Sequence, residues 1–274
     1  MISLSAFADE ISPDPVEQID VLSRHGIKHI EFRAIHGTNV LDLSPAQHED
    51  FRILLDSHGF GLSAIGSPIG KIQITDPFEA HLDRFTLAMD LADFYRAPRI
   101  RIFSFYMPAR ENPETHREEV LRRMSELAQR AADRGITLLL ENEKGIYGDT
   151  AARVHDILGS VNSPSLVHAF DPANYVECGQ PVREAWTLLL PWAKHFHVKD
   201  YDAKKEVNVP AGEGDGLIPE LLQDAASWGY EGFCVLEPHL VVAEKSYGFT
   251  GPERFGDAAN ALKSILDRQS IAYD

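Results

Sequence analysis

The feature that most constrains this chain is an alternation. Eight short β-like runs, at 2–8, 27–32, 60–66, 99–105, 136–141, 165–171, 195–199 and 233–237, are each followed by a longer stretch with helical spacing. The runs are rich in β-branched and aromatic residues and mostly apolar on both faces, as strands of a parallel sheet covered on both sides read. Between them the period changes. In 114–134, Val120, Leu121, Met124, Leu127, Ala128, Ala131 and Ala132 make one apolar stripe on a charged helix. Phe255, Ala258, Ala259, Leu262, Ile265 and Leu266 do the same near the C-terminus. Gly26, Gly59, Gly135 and Gly229 stand where helices end before the next strand, and Pro15, Pro45, Pro77, Pro113, Pro181, Pro219 and Pro252 mark helix starts. Eight such units predict an α/β fold, a closed (β/α)₈ TIM barrel, with residues 1–274 as one domain. A doubly wound open sheet is the alternative. It would carry a glycine-rich nucleotide loop after the first strand, where this chain reads ADEISPDP.

Charge removes several function classes. With 26 basic and 42 acidic residues the net charge is −16, so nucleic acid and anionic membrane surfaces are repelled. Two cysteines far apart, Cys178 and Cys234, with no CxxC, read as reduced thiols. The N-terminus turns acidic at Asp9 and Glu10 and does not read as a signal peptide, and no segment approaches the ~20 apolar residues of a membrane span. A soluble, cytoplasmic protein is expected.

In a barrel of this kind, chemistry sits where strands end. The fifth run ends at Glu141, followed by Asn142 and Glu143; the sixth at Asp171; the seventh carries His197 with Lys199 and Asp200 beyond; the eighth ends at Glu237, then His239. Four consecutive strands therefore bring Glu141, Asp171, His197 and Glu237 to one rim, at separations of 30, 26 and 40 residues, each about one strand–helix unit. Three carboxylates in one apolar mouth repel one another and are costly to desolvate, and a divalent cation removes that problem. Three oxygen donors and one imidazole suit Mn²⁺, Mg²⁺ or Co²⁺, with Zn²⁺ as a further alternative; Mn²⁺ is the first choice. Glu143 is the alternative to Glu141 but should point elsewhere.

At these residues the sequence resembles the xylose-isomerase-like TIM-barrel superfamily, within the sugar phosphate isomerases/epimerases. The resemblance runs from FADEIS through IEFR, LENE, FDPANY, HVKD and AGEGDG to LEPH, essentially the whole chain. The group takes in ketose 3-epimerases, hydroxypyruvate isomerase, inosose dehydratases and type IV endonucleases. By position, the resemblance implies metal ligands at Glu141, Asp171, His197 and Glu237, with the two glutamates also forming an acid/base pair across the substrate carbon. The epimerase branch has a substrate-contacting histidine three residues after the aspartate; here that position is Asn174.

The implied reaction is proton transfer next to a carbonyl of a small keto-sugar or polyol, through an enediolate, with Glu141 and Glu237 as the proton-transferring pair. The alternative is a lyase that removes water from a keto-inositol-like ring with the same site, and a third reading is a non-catalytic barrel. Around the quartet, Lys199 either reaches a substrate oxygen, neutralises the carboxylates or forms a structural ion pair. Arg33 either binds a substrate carboxylate or pairs with Glu10, and His239 either closes the site or caps the last helix. The glycine-rich run Gly212 to Gly216 is either an anion-binding loop or a turn that needs glycine; Glu213 and Asp215 disfavour phosphate, and Glu213 is placed to contact a neutral or carboxylated polyol. Phe7 and Phe103 either form aromatic walls of the site or pack in the core with Phe105, and core packing is the expectation for all three. The loops 34–44, 67–76, 106–112 and 240–251 carry no motif that names a sugar, and a homo-oligomer stays open as an arrangement, with no stripe that marks its interface.

Overall fold

The computed structural model describes residues 1–241 and 249–274. Eight parallel strands close into a barrel: β1 (Ser3–Ala6), β2 (His29–Phe32), β3 (Gly61–Ile65), β4 (Arg99–Ile102), β5 (Thr137–Glu141), β6 (Leu166–Phe170), β7 (Ala193–Val198) and β8 (Phe233–Leu236). Each pairs with its neighbours in sequence, and β1 closes the ring against β8 with Ser3 opposite Phe233 and Ala6 opposite Leu236. The fold is a single (β/α)₈ barrel. Each strand core falls inside the run that the sequence pattern predicts, apart from β7, which begins two residues earlier.

The helices among the described residues are α1 (Pro15–Arg24), α2 (Pro45–His58), α3 (Glu79–Tyr95), α4 (Arg117–Asp133), α5 (Ala151–Val161), α6 (Pro172–Glu177), α7 (Val182–Leu189), α8 (Ile218–Ser227) and α9 (Pro252–Arg268). Their ends follow local chemistry. At the start of α2, Ser44 and Gln47 satisfy each other's backbone in a capping box, Pro45 opens the helix, and Gly59 at φ +67° closes it. The stripe on α4 buries Val120, Met124, Leu127, Ala128 and Ala131 as expected, whereas Leu121 is half-buried and Ala132 is exposed on the stripe's edge.

Strand residues alternate between two environments. Leu4, Ala6, Ile30, Phe32, Ile100, Ile102, Leu138, Leu140, Phe196, Val198, Cys234 and Leu236 point outward into the main core shared with the helices. The opposite face points into the barrel. There Ala64, Leu139 and Ala169, with Val167 against them, form a small apolar plug, and a Ser5–Ser63 hydroxyl bond of 2.7 Å lies in the same interior. The same face also carries Glu31, Arg101, Glu141, His195 and His197, all buried, beside Val235 of β8. The expectation of strands apolar on both faces is thus corrected: both faces are buried, but the inner one is charged, because a ring of paired ions fills space that aliphatic side chains would otherwise fill. Among the described residues, no helix is long and apolar enough to cross a membrane.

Candidate metal and active site

The four rim residues converge. One donor atom from each of Glu141, Asp171, His197 and Glu237 lies within 4.8 Å of the others, and all four residues are buried. Glu141 closes β5 and Glu237 follows β8. Asp171 sits between β6 and α6, where one carboxylate oxygen accepts the Asn174 amide at 3.0 Å and caps the helix. The same residue therefore caps and serves the site: its second oxygen, Oδ2, faces Lys199 Nζ at 2.6 Å. Asn142 fixes this segment, accepting from the Asp171 amide at 3.0 Å and donating to its carbonyl at 2.9 Å. Asn174 donates to the Asn142 carbonyl at 2.8 Å and accepts from Lys199 at 2.9 Å, so it positions the lysine.

The donor set fits a hard divalent cation. Glu141 Oε2, Asp171 Oδ2 and Glu237 Oε2 are each buried without a hydrogen bond of good geometry. Arg101 and Lys199 reach the first two as ion pairs at 3.2 and 2.6 Å, and the acceptor capacity left over suits a cation. His197 turns Nδ1 toward the same point, 3.1 Å from Glu141 Oε1 and 3.7 Å from Glu237 Oε2. Glu143, the alternative ligand, points away and pairs with Lys71 at 3.0 Å.

Around the quartet, Asp9, Glu10 and Glu31 add three more carboxylates, against the fixed cations Arg33, Arg101 and Lys199. Arg33 uses all three donor nitrogens, on Asp9 at 2.7 Å, Glu237 at 2.8 Å and Glu10 at 3.1 Å, so the pairing with Glu10 is present and extends further. Arg101 lies 3.2 Å from Glu141 and 4.0 Å from Glu237. Both guanidiniums stand over the Phe7 ring, at 4.6 and 4.8 Å from its centroid, and Phe7 meets the His197 ring edge-on at 5.3 Å. Phe7, Phe103 and Phe105 are all fully buried, but of the three Phe105 joins the main apolar core, whereas Phe7 and Phe103 lie under the guanidiniums as aromatic walls of the site.

The network sets the protonation states. Burial pushes the Glu141 carboxyl up, but His197 and Arg101 outweigh it and hold it below its ordinary range. Glu237 is likewise held low against burial by Lys199, Arg33 and His197. Asp171 goes the other way: burial, with Glu141 and Glu237 beside it, pushes it up to about 7 despite Lys199. For His197, burial opposes the charge but Glu141 and Glu31 raise its pKa well above the ordinary value. His239 is pushed down to about 4 by burial. It sits 3.3 Å from both Glu10 and Glu237, at φ +48°, and does not cap α9, whose N-cap is Gly251.

The glycine-rich loop is not a free anion cradle. Asp200 accepts the amides of Gly212 at 2.8 Å, Gly214 at 3.1 Å and Gly216 at 2.9 Å. A Cβ would come within 2.4 Å of Asp200 Oδ1 at position 214 and 2.7 Å at 216, so close approach to this carboxylate is what demands glycine. Glu213 is exposed and stands outside the quartet. Burial pushes the thiols of Cys178 and Cys234 up to about 11 and 12, so neither is a ready nucleophile.

Sequence reasoning missed Glu31 and His195 and gave Arg101 no role. The signal was present for Glu31 and His195: each lies two residues before a rim residue (Arg33 just past β2, His197 on β7), and period two puts both on the inner face. Of the four variable loops, 34–44 contains a small hairpin, Ala34–Ile35 with Thr38–Asn39, and residues 242–248 of the last lie outside the described residues.

A family model described as xylose isomerase-like TIM barrel matches residues 19–265. The chain belongs to the xylose isomerase-like TIM barrel family. Within reach of this xylose isomerase-like chain is fructoselysine 3-epimerase of Escherichia coli O157:H7, 29% identical over 160 residues, covering 57% of this chain and 58% of the relative. The 3-dehydroshikimate dehydratase of Bacillus anthracis is 23% identical over 156 residues, covering 54% and 56%. The matches thus span less than two thirds of these curated relatives. Among solved structures, a xylose isomerase-like TIM barrel protein from Mycobacterium smegmatis in complex with magnesium superposes with a TM-score of 0.72 at 19% identity, covering 99% of this chain and 97% of that one. The relatives include epimerases and a dehydratase, and the barrel mouth of this family member holds a constellation able to bind a metal.

Proposed function

We propose that this protein is a divalent-metal-dependent sugar isomerase or epimerase that moves a proton next to a carbonyl of a small, unphosphorylated keto-sugar or polyol. The observation that carries this reading is the buried quartet Glu141, Asp171, His197 and Glu237, three of whose oxygens make no well-formed hydrogen bond. Those four residues would hold the cation, Mn²⁺ first and Mg²⁺, Co²⁺ or Zn²⁺ as alternatives, and when bound it would supply electrostatic stabilisation of the negative charge of an enediolate.

The protein's own groups supply the rest. Glu141 and Glu237, both held ionised by neighbouring cations, are suited to take a proton from carbon and return one. Lys199, kept charged by Asp171 and Glu237 and aimed by Asn174, neutralises the carboxylates and lies within reach of a substrate oxygen at the mouth. His239, neutral and half-buried against Glu237, covers one flank. Arg33 holds Glu237 in place, and a contact of its guanidinium with substrate would come at the expense of Asp9 or Glu10. Glu213 is assigned to the outer, solvent-facing contacts of a polyol. Occupation of the glycine-loop amides by Asp200 supports a substrate without phosphate. The two widely separated thiols and the net charge of −16 accord with a cytoplasmic enzyme that binds neither nucleic acid nor membrane.

The test is elemental analysis plus product analysis. About one divalent ion per chain is expected in the wild type and none in Asp171→Ala. Keto-sugars incubated with the loaded enzyme should give isomers of unchanged mass, with solvent deuterium at the reacting carbon. Loss of one water would turn the reading to the lyase alternative. Glu141→Gln should keep the ion and lose roughly 10²- to 10⁴-fold in turnover; undiminished turnover removes Glu141 from its role.

A further inference from the structure

We propose that Glu31 is a positioning residue that fixes the tautomer of His197, so that Nδ1 presents its lone pair to the quartet. The inference rests on the reading of Glu141, Asp171, His197 and Glu237 as a cation site, and it assigns a role to groups that reading leaves idle. Glu31 lies on β2, fully buried, at the level of the barrel just below Arg33. Its Oε2 is 2.7 Å from His195 Nε2 and 3.3 Å from His197 Nε2. A carboxylate oxygen has only lone pairs to offer, so both nitrogens meet it as N–H donors.

A neutral His197 with its hydrogen on Nε2 has its lone pair on Nδ1. That is the nitrogen standing 3.1 Å from Glu141 Oε1, to which it donates a hydrogen while no cation is bound, and 3.7 Å from Glu237 Oε2. A cation between them would take the place of that hydrogen and leave the one on Nε2. The opposite tautomer would set a lone pair against the Glu31 carboxylate and aim a hydrogen at the cation position. The ring has little freedom to turn over, because Phe7 meets it edge-on at 5.3 Å and His195 at 5.4 Å. His195 supplies the second hydrogen bond that keeps Glu31 Oε2 in place, and Arg101 Nε lies 3.9 Å from Glu31 Oε1. A ligating imidazole whose far N–H rests on a carboxylate is oriented and made more basic by it.

Glu31, His195 and His197 also satisfy the spacing of a metal-binding group in their own right. The competing assignment is therefore a second ion with Glu31 as ligand, and stoichiometry separates the two. Manganese titration calorimetry on wild type, Glu31→Gln and Asp171→Ala would be combined with long-range ¹H–¹⁵N spectra of ¹⁵N-histidine-labelled wild type loaded with Zn²⁺. The expected result is one ion per chain in wild type and in Glu31→Gln, bound roughly 10- to 100-fold more weakly in the variant, with His197 Nε2 protonated and Nδ1 carrying the zinc. Equal affinity in Glu31→Gln, zinc on Nε2, or a second ion that Glu31→Gln loses would each overturn the proposal. If Glu31→Gln fails to fold, the wild-type spectrum decides alone. Manganese binding no tighter in wild type than in Asp171→Ala would instead remove the cation site itself, an outcome distinct from a wild type that binds normally and a Glu31→Gln that binds as well.

Discussion

The outward and inward faces of the same eight strands are built on opposite principles. Outward, Leu138, Leu140, Ile100 and Ile102 meet the helices in one continuous apolar core. Inward, above the small plug of Ala64, Leu139 and Ala169, the barrel is held by Arg33, Arg101 and Lys199 threaded among six carboxylates. The outer face tolerates loss of a contact as a cavity. The inner face does not, because removing one charge leaves another buried and unpaired. Stability of the fold is thus spread over many outer side chains, whereas the inner face concentrates it in a few groups that also form the candidate site.

The sharpest way to break this contrast is a pair of truncations. Arg101→Met should destabilise the metal-free protein by about 3–5 kcal/mol, the range for an orphaned buried charge. It should also tighten Mn²⁺ binding, since Glu141 loses a competing cation. Leu140→Ala, on the outer face, should cost about 2–5 kcal/mol as a cavity and leave Mn²⁺ affinity unchanged. Denaturant melts and calorimetry on both variants check this; a Leu140→Ala that alters metal affinity as Arg101→Met does would erase the distinction between the faces. Next in size, Gly214→Ala should cost about 1–3 kcal/mol by forcing a Cβ against Asp200 Oδ1, and pairing it with Asp200→Ala should recover part of that loss in the melting temperature.

The smallest effect is a pH dependence. In the metal-free protein, protons reside on Asp171 up to a pKa of about 7 and on His197 above its ordinary value. Both raised groups must release their protons before they can ligate, so Mn²⁺ affinity should rise with pH across the neutral range, by about tenfold per pH unit for each proton displaced. Calorimetry in buffers of different ionisation enthalpy counts those protons; binding that takes none up or releases none would mean that the raised pKa values are wrong.

Much of this was legible in the chain. The strand–helix alternation gives the barrel, because periods of two and 3.6 are written in side-chain order, and strand ends give Glu141, Asp171, His197 and Glu237. What escaped were the layers beneath. Glu31 and His195 sit inside strands, where local pattern reads as burial, and their partnership joins β2 to β7 across 164 residues. Arg101 gained meaning only when closure of the barrel set it beside Glu141. The glycine-loop reading was incomplete for the same reason: its amides and Asp200 are near in sequence, but only the turned backbone reveals that the anion is already supplied.

That internal anion bears on how far this barrel stands from another substrate class. Asp200 to alanine is a single-nucleotide change, and it would release the amides of Gly212, Gly214 and Gly216 together, still converging on one point. If the proposed unphosphorylated substrate is right, the route to a phosphorylated one is short in sequence space, and a screen of Asp200 variants against sugar phosphates would sample it directly.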